Sequence, residues 1–210
     1  MNRKSLITFS LIFLWLSFIC LVSAAPDTKW IFAFDGGIDD EVYCVVETNN
    51  GGFALAGITN SFDEDNYDFW LIKTDSNGEE QWNMTYGGFE DDIAMSMVMT
   101  DDGYVLGGSI KEKSDDLWLD NNDDVWLVKT NSEGIMLWNQ TYGGSEYERA
   151  KSLAATSDGG YILGCETRSF GAGGADFWLI KTDSYGVMEW NMTYGGEESE
   201  YGGSLVVSKA

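Results

Sequence analysis

The chain has 210 residues, with 35 Asp and Glu against 12 Lys and Arg, a formal net charge of −23, and no histidine. That balance repels nucleic acid and anionic lipid, and the missing histidine removes Ser-His-Asp and Cys-His nucleophile systems together with His-based zinc or iron sites. The acidic residues are interspersed with Trp, Tyr and Val, so this is not the aromatic-poor composition of a disordered acidic chain.

Residues 1–25 read as a secretory signal peptide. Arg3 and Lys4 precede an apolar run, and Ser23, Ala24 and Ala25 provide the small residues of a cleavage site. A membrane anchor is the alternative, but the uninterrupted apolar stretch from Leu11 to Val22 is short of the ~20 residues a span needs. The expectation is a secreted or cell-surface protein without a stable membrane span after cleavage, with residues 26–210 forming one repeat domain. Two cysteines then remain, Cys44 and Cys165, at non-equivalent repeat positions. They read as small apolar fillers, with one disulfide left open in an exported chain.

The repeat is explicit. "DFWLIKTDSNGEEQWNMTYGG" from Asp68 to Gly88 returns as "DVWLVKTNSEGIMLWNQTYGG" from Asp124 to Gly144 and as "DFWLIKTDSYGVMEWNMTYGG" from Asp176 to Gly196. Trp30, Trp82, Trp138 and Trp190 are spaced by 52, 56 and 52 residues, a period that signals solenoids, propellers or arrays. A lone strand is expected around Trp30, then three units at about residues 40–88, 92–144 and 148–196, then a last strand candidate in "YGGSLVVSKA". Within the third unit, "RAKSLAAT" and "YILGCET" flank the turn "SDGG" and predict a hairpin. "DFWLIKTD" is apolar on both faces and predicts a strand covered on both sides. After the turn "DSYG", "VMEWNMTYG" alternates, with Trp190, Met192 and Tyr194 one way and Asn191 and Thr193 on a wet face.

Four short antiparallel strands per unit predict an all-β fold of propeller-type blades, about three full blades with an orphan strand at each end. A β-solenoid is the alternative, but its strands pair between repeats. Small residues at Ala54, Ala56, Gly57, Gly107, Gly108 and Gly164 are expected where blades converge. The pattern D-x-W-L-[IV]-K-T-[DN]-S-x-G-x-x-x-W-N-x-T-Y-G-G, with "SDGGYILG" and "RSFGAGGADFW", resembles the secreted β-propeller-like repeat proteins of archaea and bacteria. Those proteins are exported or surface-bound, and the resemblance implies a fold without implying an activity. "KTDSNGEEQW" is more loosely similar to the blades of PQQ-type quinoprotein propellers, where a Trp and a Gly lock one blade to the next; that role is structural and implies no cofactor. Propellers close with four to eight blades, so the expected arc is open, truncated, or completed by self-association.

Candidate sites sit beside plainer readings. Asn83, Asn139 and Asn191 each begin an N-x-T sequon at one repeat position, suiting N-glycosylation or simply a solvent-facing polar pair. The second unit is longer: 22 residues separate Tyr104 from Trp126, against 17 from Phe53 to Trp70 and from Tyr161 to Trp178. In its insertion Asp120, Asn122 and Asp124 have the spacing of oxygen ligands for calcium, without the glycine and distal glutamate of an EF-hand, or form a solvated acidic loop. Trp118 there could stack on a sugar ring or fold back onto the blade edge. The acidic runs "FEDD", "SEYE" and "EESE" read as solvated turns, and as glycosidase carboxylates they would need a set separation across a cleft. The functional expectation is a non-catalytic binding or surface-structural module for a glycan or protein; the enzymatic alternative is a carbohydrate-active propeller using two carboxylates, and a fragment of a longer propeller is the third reading.

Overall fold

The computed structural model describes residues 39–62, 66–111, 122–205 and 207. The leader, the strand expected around Trp30, and Trp118 and Asp120 lie outside these residues. The described residues form twelve β-strands and no helix, in three four-stranded antiparallel sheets. The first sheet contains β1 (Asp40–Glu47), β2 (Phe53–Thr59), β3 (Asp68–Thr74) and β4 (Glu80–Tyr86). The second contains β5 (Ile93–Thr100), β6 (Gly103–Lys111), β7 (Asp123–Asn131) and β8 (Met136–Tyr142). The third contains β9 (Glu148–Ala155), β10 (Tyr161–Thr167), β11 (Asp176–Thr182) and β12 (Met188–Tyr194). Strands follow one another in sequence order across each sheet, so every sheet is an antiparallel meander, as propeller-type blades require.

Turn chemistry explains the meander. In the turn between β3 and β4, the Asp75 carboxylate accepts backbone N–H bonds from Asn77 and Glu79 at 2.8 and 3.0 Å, while Gly78 takes φ +84°. Asn131 and Asp183 repeat this arrangement, with Gly134 at φ +80° and Gly186 at φ +77°. The D/N-S-x-G sequence is thus a side-chain-capped turn whose last residue must be left-handed.

The blades stack face to face. Phe69, Leu71 and Tyr86 of the first sheet share a buried cluster with Leu106, Trp126 and Val128 of the second. Leu127, Val125 and Tyr142 of the second do the same with Leu163, Trp178 and Ile180 of the third. The first strands lie innermost at these seams: β5 packs against β1, β2 and β3, and β9 against β5, β6 and β7. Strands β3 and β7 are covered on both faces as their sequence predicts, whereas Phe177 and Leu179 of β11 are only half-buried.

A repeated latch closes the outer side of each seam. Gly134 lies against the Trp82 ring so closely that a Cβ there would stand 2.8 Å from a ring carbon, and the Tyr86 hydroxyl donates to the Gly134 carbonyl at 2.5 Å. Gly186, Trp138 and Tyr142 repeat the contact with the same 2.8 and 2.5 Å distances. The third copy, Trp190 with Tyr194, is 45% and 51% exposed, and Met192 between them is 52% exposed. The strand predicted over residues 201–210 does not form in its described part: residues 201–205 and 207 have no ladder partner, though Leu205 reaches Gly164 and Gly202 lies on the Phe177 ring.

Two small-residue positions act differently from expectation. A bulge recurs in every blade, where Tyr43, Met95 and Lys151 are skipped by the register. Gly57 and Gly108 face these bulges inside their own sheets: a Cβ would come within 1.8 Å of the Glu41 and Ile93 carbonyl oxygens, respectively. Gly107 does serve the seam, at 3.7 Å from Leu153. The two cysteines among the described residues are free thiols; Cys165 is buried in the third sheet and Cys44 half-buried in the first.

Candidate binding clefts between the blades

The lysine of "WLIKT" or "WLVKT" is buried in every blade. It fits because the glycine of the opposite turn has no side chain: a Cβ on Gly52 would lie 2.8 Å from Lys73 Nζ, and one on Gly160 would lie 2.7 Å from Lys181 Nζ. Lys181 is held by Asp158 at 3.0 Å and Glu189 at 2.9 Å, partners that raise its pKa against the opposing effect of burial. Lys129 is held by Asp102 at 2.5 Å and by the Thr100 hydroxyl. Lys73 differs: its ammonium donates to Asn50 Oδ1 at 3.2 Å, Gln81 Oε1 at 3.3 Å and the Thr74 carbonyl, all neutral, and burial lowers its pKa. Sequence reasoning missed these lysines because a Lys in an alternating strand reads as solvent-facing.

These cradles sit beside two repeat-equivalent clefts. The cleft between the first and second sheets has a volume of about 180 Å³, with Lys73, Thr48, Asn49, Thr100, Asp101 and Ser132 among its walls. The cleft between the second and third sheets has a volume of about 680 Å³, with Lys129, Leu137, Trp138, Tyr161 and Tyr185 among its walls. The first sets the hydroxyls and amides of Thr48, Asn49, Asn50, Thr100 and Ser132 beside Met99 and Tyr104, and the second sets Trp138, Tyr161 and Tyr185 beside Asp101 and Asp102.

The sequon asparagines have a structural task. Asn83, Asn139 and Asn191 accept the indole N–H of Trp70, Trp126 and Trp178 at 3.4, 3.2 and 3.0 Å. Their amide nitrogens point to Glu80, Met136 and Met188 along the same strand. Asn139 and Asn191 are exposed, as are Thr85 and Thr141, so the wet face of the strand holds both the sequon and the indole acceptor.

The acidic runs are not uniformly solvated, contrary to expectation. Asp92 is fully buried, accepting N–H bonds from Gly88 and Lys111 at 2.8 and 3.0 Å. Its burial, together with the charges of Asp68 and Asp123, pushes its pKa up to about 7. Glu148 is also fully buried, bound to the amides of Gly144 and Ser169 and to the Thr167 hydroxyl. Glu200 accepts from Gly196 at 2.9 Å. One acid from each run therefore secures the glycine pair at the blade entry, a backbone role rather than a cleft role.

Of the calcium candidates, Asp124 is the repeat counterpart of Asp68 and Asp176 and lies over Gly143 beside Glu148. It belongs to that blade-entry cluster, and Asn122 precedes it at the start of the described residues. Among the described residues no group of three or more acidic or cysteine side chains is placed to hold a metal ion.

No family model and no curated protein matches the chain. Among solved structures it is similar to Sqt1 from Chaetomium thermophilum, at 15% identity and a TM-score of 0.42, over 76% of this chain and 37% of that one.

Proposed function

We propose that this protein is a non-catalytic β-propeller-type module, exported to the cell surface or beyond, that binds its ligand in the clefts between blades. The observation carrying this reading is that the recurrent polar residues are committed to the fold. The asparagines hold indoles, the entry acids hold backbone amides, and Lys129 and Lys181 are paired with acids of their own blades. Beside Lys73, Lys129, Asp101 and Asp102, the clefts present hydroxyl, amide and aromatic groups suited to hydrogen bonding and stacking.

A screen of the purified protein on glycan arrays and chromogenic glycosides tests the reading. Saturable binding without turnover is expected; turnover that one carboxylate substitution abolishes would establish the enzymatic alternative instead. Export carries N-glycosylation with it in a glycosylating host: attachment at the amide nitrogen of Asn83, Asn139 or Asn191 leaves Oδ1 to hold the indole. The exposed Trp190, Met192 and Tyr194 also suit self-association, because their counterparts in the first two blades are the seam-forming surface.

A further inference from the structure

We propose that the cleft between the first and second sheets is a carboxylate-binding site, in which Lys73 supplies the charge for a small hydroxylated organic acid of the uronic-acid kind. The inference rests on the binding-module reading and names the ligand class for one of its clefts.

The three repeat-equivalent lysines are an internal comparison. Lys181 has Asp158 and Glu189 as partners. At the matching positions of the first blade stand Asn50 and Gln81, the uncharged isosteres of those two acids, and both still accept hydrogen bonds from Lys73. The cradle geometry is kept while both negative charges are removed. Lys73 is only 5% exposed, and among the described residues no carboxylate lies within ion-pair distance of it. The nearest acid felt by Lys73 is Asp75, whose carboxylate is taken up by the turn amides of Asn77 and Glu79. A buried cation without a counter-charge is unfavourable, and a ligand carboxylate that displaces Asn50 Oδ1 or Gln81 Oε1 from the ammonium supplies what Asp158 and Glu189 supply in the third blade.

The cleft fits the rest of such a ligand. Its volume of about 180 Å³ is below that of drug-sized sites and suits a ligand no larger than a single sugar ring. Thr48, Asn49, Thr100 and Ser132 offer hydroxyl and amide groups for sugar hydroxyls. Asp101 in the same wall, and the net charge of −23, disfavour polyanions such as phosphate or sulfated glycans. The neighbouring cleft lacks this property, because Lys129 is already paired with Asp102.

The test is titration of the purified protein with D-glucuronate, and with D-glucose as the uncharged control, followed by calorimetry and by protein NMR shifts. Saturable glucuronate binding in the millimolar range is expected, with none for glucose. The double variant Asn50→Asp, Gln81→Glu restores the internal carboxylates of the third blade and keeps the fold, so it should weaken glucuronate binding by roughly tenfold or more, as loss of a charge-assisted hydrogen bond does. Lys73→Met should do the same, and Lys129→Met should not. Equal binding by wild type and the double variant, or no saturation by wild type, overturns the proposal. A neutral glycan bound equally by wild type and Lys73→Met would overturn it too, while leaving the broader binding-module reading intact.

Discussion

At the scale of single residues, function and fold draw on the same polar groups. The Asn139 amide oxygen is the acceptor for the Trp126 indole. Asn139→Ala leaves that N–H without its partner and should cost about 1–3 kcal/mol in denaturant unfolding, whereas Thr141→Ala at the exposed sequon threonine should cost little. Asp92 gives a pH signature. Its folded pKa of about 7 lies above the roughly 4 of an unfolded aspartate, so folding takes up a proton between those values. Stability therefore falls as pH rises from about 4 to about 7, by on the order of 2–4 kcal/mol, and is flat in this respect above it. Asp92→Asn should flatten that slope in unfolding measured at a series of pH values, although one of the two backbone amides loses its acceptor. Of these residues only the sequons were legible in the sequence. The buried acids and lysines were hidden because their burial comes from a neighbouring strand's missing glycine side chain or from the next blade's entry turn, neither of which alternation reveals.

At the scale of elements, the strands and turns were legible almost residue by residue. "RAKSLAAT", "YILGCET", "DFWLIKTD" and "VMEWNMTYG" became β9, β10, β11 and β12, because period-two patterning and D/N-S-x-G turns are local properties. In its described part, residues 201–205 and 207, the final segment is not a strand for a non-local reason: a strand needs a ladder partner, and no described residue offers one. The bulge in each blade was likewise invisible, since it is a matter of register between β1 and β2, β5 and β6, and β9 and β10. The latch makes two predictions about elements. Tyr142→Phe removes the hydrogen bond to the Gly186 carbonyl and should cost about 1 kcal/mol. Trp138→Ala empties half-buried aromatic volume against the third blade and should cost more, up to about 3–5 kcal/mol, both read from urea unfolding midpoints.

At the scale of the whole molecule, no blade covers its own faces. Among the described residues the first sheet buries a face on the second and the second on the third, the D/N-S-x-G turns of the second and third blades each receive a Trp and a Tyr from the blade before, and the candidate clefts lie where two blades meet. The sequence announced the copying of the blade but not this dependence, because the Trp and the glycine it contacts lie in different repeats. Nearest-neighbour stacking of this kind couples repeats thermodynamically, so the three blades should unfold together. The most direct measurement is urea unfolding of wild type and Gly134→Val, followed in parallel by far-UV circular dichroism and tryptophan fluorescence. Gly134→Val combines a left-handed backbone strain of about 1–2 kcal/mol with displacement of the Trp82 ring. The expected result is a single transition, coincident by both probes, that shifts as a whole to lower urea in the variant. Separate transitions, with only one of them moved by Gly134→Val, would contradict the stacking and would mean that the blades, and the clefts between them, are not one cooperative unit.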